Sequence, residues 1–206
     1  MNLRSLRSAV ALGGVFLASF SAVAQTDELH FGSVKVDPAT RSISFPAVVN
    51  QREGAIEYLL VHETGKVHES IFKTTVAPQE IHAAALLFSQ KGAHVLGKLI
   101  VKDIELSWKD GEKPMRFNAA ELTFDKKHRR PLRETKWAYR GSRIIDGVFL
   151  AQRDGSIIAI MEDRDALIDQ DTPDASDDEN WAPVTERLPA IGTAVSLKMS
   201  FAAKTD

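Results

Sequence analysis

The chain of 206 residues contains no cysteine. That single absence removes disulfides, thiol catalysis, haem attachment through C-x-x-C-H and iron–sulfur ligation together. Stability must come from packing. Beyond the first 24 residues no apolar run is long enough to suggest a membrane span, which needs about 20 residues. No internal repeat and no linker divides the chain. Catalytic signatures are missing as well: there is no G-x-S-x-G elbow, no G-x-x-x-x-G-K-[ST] phosphate cradle and no G-x-G-x-x-G after a strand. H-E-x-x-H and comparable metal spacings are absent too.

The N-terminus reads as a processing signal. Arg4 and Arg7 form a short basic region, Ala9 to Ser21 an uncharged apolar stretch, and Ala22-Val23-Ala24 an A-x-A cleavage site. The expected mature chain starts at Gln25, giving a 1–24 signal and one domain over 25–206. The expected localisation is periplasmic or secreted. Losing Arg4 and Arg7 from 26 basic residues leaves 24 against 28 acidic ones, a net of about −4. This mild acidity argues against nucleic-acid binding. The 182 residues that remain (206 less 24) suffice for one sizeable core.

Alternation of period two dominates what is present. It predicts strands at Val34–Val36, Ile43–Val49, Ile104–Trp108, Met115–Asn118, Trp137–Tyr139, Val148–Ala151, Ile157–Ile160 and Val195–Phe201. D-P-A-T, Asp110-Gly111, Asp146-Gly147 and Asp154-Gly155 punctuate them. Helix is scarce. Pro78, followed by Gln79 and Glu80, opens one helix that Gly92 would stop, spanning about 78–91. Short helical turns are expected at Asp165–Ile168 and Ala119–Leu122. The fold class is therefore α+β, β-rich, a mostly antiparallel sheet with one buried helix packed on it. Two charged segments, basic Lys126–Arg133 and acidic Asp169–Glu179, read as solvated loops.

Chemistry concentrates between Tyr58 and Phe88. Thr64-Gly65 suits a tight hairpin turn with Gly65 at positive φ, which would gather His62, Glu63, His68 and Glu69. His82 interrupts an otherwise apolar helix. If that helix covers the sheet face carrying His68, the two imidazoles meet. His62, Glu63 or a distant carboxylate would then supply a third ligand for zinc, copper or iron. Alternatively His82 is a buried, hydrogen-bonded structural histidine. Gly141-Ser142 and Gly155-Ser156 each place a serine after glycine, and both read as strand-edge turns. The acidic loop departs from the calcium-hand pattern, which leaves only a loosely held calcium there.

Six stretches carry a resemblance: E-Y-L-L-V-H-E-T-G-K-V-H-E-S (57–70), I-H-A-A-A-L-L (81–87), Y-R-G-S-R (139–143), D-G-S-I-I-A-I (154–160), D-A-L-I-D (165–169) and T-E-R-L-P-A-I-G-T-A-V-S-L (185–197). In these the chain resembles the YdjY-like domain proteins, an exported bacterial family without a settled activity. The resemblance implies a secreted or periplasmic module, some relatives of which are joined to redox or ferredoxin-like segments. It carries over no catalytic set. The positions it marks are His68, Glu69, Ser70, His82, Gly141 and Ser142. The function expected is a binding or accessory domain with an unidentified protein or small-molecule partner and no cofactor. The alternative is a metal-dependent enzyme or metal-binding protein using His68 and His82.

Overall fold

The computed structural model describes residues 29–89, 99–132 and 135–202. The chain opens with β1 (Leu29–Phe31), β2 (Val34–Asp37), β3 (Ser42–Val49), β4 (Tyr58–His62) and β5 (Ser70–Thr74), then α1 (Pro78–Leu86). There follow β6 (Val101–Asp110), β7 (Lys113–Asn118), β8 (Thr123–Asp125), β9 (Arg130–Pro131), β10 (Trp137–Tyr139), β11 (Ile144–Ile145) and β12 (Val148–Phe149). The rest is α2 (Leu150–Asp154), β13 (Ser156–Ala159), β14 (Ile168–Gln170), β15 (Trp181–Pro183) and β16 (Ala194–Phe201).

Eleven strands make one sheet in the order β10-β14-β13-β4-β5-β3-β16-β6-β7, with β2 on the free part of β3 and β1 on β2. Its centre follows from alternation. Phe45 faces Leu197, Leu197 faces Leu106, and Ile43, Met199 and Ile104 form the next row. All six side chains are buried, and each full burial stabilises by about 1.5–3 kcal/mol. The opposite face carries Ser44, Lys198 and Glu105 as one cross-strand row, a polar set with opposite charges adjacent. Helix α1 buries Pro78, Ile81, Ala84 and Ala85 and lies against β1, β2, β3 and α2. Phe88, just beyond it, stacks on Phe201 at 5.4 Å between ring centroids.

β4, like β13 and β14 on the same side of the sheet, is buried along both faces. Leu59, Leu60 and Val61 are fully buried, so both its faces are covered. Leu59 and Leu60 belong to the main core, whereas Tyr58 and Val61 join a small second cluster with Ala159 and Ala166. A strand buried on both faces reads as a continuous apolar run, and E-Y-L-L-V-H does.

Four expectations change. β4 and β5 are parallel neighbours, with Tyr58 beside Ser70 and His62 beside Thr74, so Thr64-Gly65 does not close a hairpin. The chain instead turns back through a short 3₁₀ segment, Val67–Glu69, and re-enters the sheet in the same direction. Gly65 is required by proximity rather than by φ. A Cβ there would lie 2.8 Å from the Asp154 carbonyl oxygen and 3.1 Å from Gly155 Cα. Val148–Ala151 is a strand only through Phe149, because α2 begins at Leu150 and ends at Gly155 with φ 71°. Asp165–Ile168 is no helix; Ile168 opens β14. Helix α1 ends at Leu86, and the expected stop near Gly92 lies outside the described residues.

The charged segments also meet each other. β8 pairs with β9 and β15, Lys127 Nζ reaches Asp174 Oδ1 at 2.7 Å, and Lys126 Nζ donates to the Glu179 carbonyl at 2.6 Å. Asp169 and Gln170 are buried within β14. The expected exposure holds for Lys126–Arg130 and for most of the acidic segment beyond Gln170, but the two are tied to each other and the acidic one begins inside the sheet.

Candidate functional site

Between β4 and β5 the polar side chains divide into internal ties and free groups. His62, ending β4, has Nδ1 2.8 Å from Thr64 Oγ1 and accepts the Thr64 backbone N–H. Ser70 is buried, its hydroxyl donating to the Phe72 carbonyl at 2.7 Å. Both hold the backbone rather than await a substrate. His68 stands out from the 3₁₀ segment with its side chain 78% exposed, 3.8 Å from Glu69. Glu63 is exposed as well.

Behind this turn lies a cluster built on Tyr58. Its hydroxyl donates to Asp163 Oδ2 at 2.9 Å, and Lys66 Nζ sits 5.0 Å above its ring. Lys66 also approaches Glu57 at 3.6 Å and Glu69 at 3.5 Å. Burial, with the Asp163 carboxylate beside it, pushes the phenol up to about 12. A phenol held there is a hydrogen-bond donor and not a nucleophile at neutral pH. Burial would lower the Lys66 ammonium, but Tyr58, Glu69 and Glu57 outweigh it and raise it. Burial and the neighbouring Glu69 raise Glu57. One lysine therefore serves two carboxylates and an aromatic face.

His82 has a different setting. Its Nδ1 lies 2.8 Å from the Tyr139 hydroxyl, and its ring centroid is 5.2 Å from that of Phe149. Burial lowers its pKa and raises that of Tyr139, so both stay neutral near pH 7. A neutral imidazole protonated on Nε2 accepts the phenol's donation at Nδ1. Tyr139 in turn meets Phe201 edge-on.

His68 and His82 do not come together. His82 reaches, through Tyr139, the Phe201 end of β16, while His68 shares a concavity with Ala190 and Ile191, just before Ala194 at its other end. At about 3.4 Å per residue the eight-residue strand separates the two regions by about 25 Å, far beyond a shared coordination sphere. Among the described residues no group of three His, Cys, Asp or Glu side chains could hold a metal ion.

Gly141 and Ser142 hold a junction. Gly141 has φ 72° and Ser142 φ 63°. The Ser142 hydroxyl donates to the Asp165 carbonyl at 2.7 Å and accepts the Ala151 N–H at 2.9 Å. Arg143 makes a two-pronged contact with Asp165 at 2.6 and 3.0 Å, and Arg140 Nε donates to Asp169 Oδ1 at 2.8 Å. The Y-R-G-S-R and D-A-L-I-D stretches are thus partners in space. Ser142 uses its hydroxyl twice for backbone, once as donor and once as acceptor.

The open surface is beside His68. Asn50, Arg52, Glu53, Val67, His68 and Ile191 line a concavity of about 580 Å³. Asn50 Nδ2 donates to the Val67 and Ser70 carbonyls, which fixes the rim. Arg52 donates to the Thr185 carbonyl at 2.9 Å and keeps a buried Nε without a partner. Ile191 is 66% exposed.

A family model for the YdjY domain matches residues 34–200. The chain belongs to the YdjY domain family. Comparison with curated proteins and with solved structures finds no match. The family match spans every strand from β2 through most of β16, leaving only β1 of the large sheet outside it. Within it, Asn50 and Arg52 follow the alternating Ile43–Val49 run and Ile191 precedes the Val195–Phe201 run, so the alternation marks the strands beside them and not the residues themselves. Only the fold, which sets the loop before β16 beside the β4–β5 turn, brings them to His68.

Proposed function

We propose that this YdjY domain is an exported binding or accessory domain whose contact surface is the concavity beside His68. One observation carries the reading. Among the histidines and serines that the sequence singles out, His62, Ser70, His82 and Ser142 are spent on internal hydrogen bonds, whereas His68 projects into solvent on the edge of a concave, mixed polar and apolar surface. Sites that combine a hollow with a few convergent polar groups are where ligands are held. Arg52 supplies a guanidinium donor, Glu53 an acceptor, and Val67 and Ile191 an apolar wall. Export is supported by the Arg4/Arg7 region, the apolar stretch and Ala22-Val23-Ala24.

The test has two arms. N-terminal sequencing of protein recovered from the periplasm or medium should begin at Gln25; an intact Met1 chain in the membrane fraction refutes export. A thermal-shift screen of small molecules and metal salts, on protein purified without a histidine tag, should yield a compound that stabilises the native chain but not the paired His68→Ala, Ile191→Ser variant. A compound that stabilises both equally places binding elsewhere.

A further inference from the structure

Arg140, Arg143 and Arg153 each donate to a carboxylate at 2.6 to 2.8 Å. Arg52 does not. It is half-buried, and its side chain makes a single hydrogen bond: Nη2 donates to the Thr185 carbonyl at 2.9 Å, while the Thr185 hydroxyl donates back to the Arg52 carbonyl at 2.6 Å. This double tie carries the side chain from the segment after β3 to the segment that leads into Ala190 and Ile191. Both segments are walls of the concavity beside His68. The guanidinium is thus held in place with most of its N–H donors unspent. Nη1 in particular is neither buried nor bonded within the chain.

Glu53 is the complement. It is exposed, lines the same concavity, and enters no ion pair among the described residues. The two charges come from successive residues and do not pair with each other. Val67 and Ile191 stand beside them, Ile191 66% exposed. A simple anion would gain Arg52 and be repelled by Glu53, and a simple cation would meet the reverse. A molecule that carries both charges close together on an apolar body satisfies all three features. The volume, about 580 Å³, lies within the roughly 300–1,000 Å³ of ligand pockets. Resting on the reading of this concavity as the contact surface, we propose that its ligand is a free amino acid with an aliphatic side chain. The carboxylate accepts from Arg52 Nη1, the ammonium donates to Glu53, and the side chain lies against Val67 and Ile191.

Calorimetric titration of the full chain with leucine, leucinamide and 4-methylpentanoate tests it. Leucinamide keeps the ammonium and the side chain without the carboxylate; 4-methylpentanoate keeps the carboxylate and the side chain without the ammonium. Leucine should bind saturably at millimolar concentration or below, at least about tenfold tighter than either, a difference of about 1.4 kcal/mol. Glu53→Gln, at an exposed position, should keep the ligand-free Tm, lose about tenfold in leucine affinity and leave 4-methylpentanoate unweakened. No saturable binding of leucine, equal binding of either half-compound, or full leucine affinity in Glu53→Gln overturns the proposal. The contact-surface reading fails separately. If leucine is inert while another compound stabilises the native chain and not the paired His68→Ala, Ile191→Ser variant, only the ligand class is wrong. If leucine binds that paired variant as tightly as the native chain, binding lies elsewhere and both readings fall.

Discussion

The two ends of the β3–β16 ladder treat a histidine in opposite ways. At the Phe201 end His82 is enclosed by Tyr139 and Phe149, uncharged and hydrogen-bonded. At the Ala194 end His68 stands free beside a hollow. An apolar neighbourhood forces a titratable group to find an internal partner, and a group so partnered is no longer available to anything outside. The His82 end therefore spends its histidine on the fold, and the His68 end leaves its histidine open to solvent.

The contrast is open to test, beginning with its largest consequence. Phe88→Ala removes a ring that packs on Phe201 and lies under the Arg41 guanidinium, and should destabilise by about 3–5 kcal/mol. A loss below about 1 kcal/mol in denaturant unfolding, the size of a surface effect, would make the His82 end peripheral. At the other end the backbone should prove less forgiving than the side chains. Gly65→Ala pushes a methyl to within 2.8 Å of the Asp154 carbonyl, and a cost of about 1–3 kcal/mol is expected by the same measurement; no change would mean that the two chains can part freely.

Tyr139→Phe deprives His82 Nδ1 of its partner and should cost about 1 kcal/mol. The pH dependence gives an independent reading. Burial holds the folded His82 pKa below its ordinary 6.5, so in the window between them the unfolded chain carries more protons. Stability from this group is complete above 6.5 and is lost as pH falls towards the lowered value. His82→Gln should flatten that part of the unfolding curve against pH; an unchanged slope would assign the acid sensitivity to other groups. The smallest effect belongs to His68→Ala, which should alter stability by no more than about 0.5 kcal/mol, since its side chain is largely in water. A larger loss would make His68 structural and remove it from the proposed surface.

Much of this was legible before any coordinates. β3, β6 and β16 announce themselves through alternation, and the Asp110-Gly111 signal sits at the observed β6–β7 turn, where Gly111 has φ 59°. Asp146-Gly147 likewise forms the β11–β12 turn with φ 52° and 78°, the paired positive values a two-residue hairpin demands. Local signals fail where the deciding contact is distant. Thr64-Gly65 has the composition of a hairpin, yet its glycine answers to Gly155, ninety residues later, and the strand it leads to runs parallel. His82 was readable as a histidine in need of a partner, but not that Tyr139 would be that partner. Arg140 and Asp169 sit in two recognisable stretches whose pairing no periodicity reveals. The sheet order brings these residues together, and no window of the sequence contains it.

β16 is the last strand of the described chain, yet it lies in the middle of the sheet, bonded to β3 on one side and β6 on the other. Until those residues emerge during synthesis, β3 and β6 have no common neighbour and the row from Ile43 to Ile104 lacks its central member. The joint between the two parts of the sheet is thus made only by the last described strand. A nascent polypeptide stopped before Ala194 keeps β3 paired with β2 and β5 and β6 paired with β7, but leaves one edge of β3 and one edge of β6 open and the two parts of the sheet unjoined.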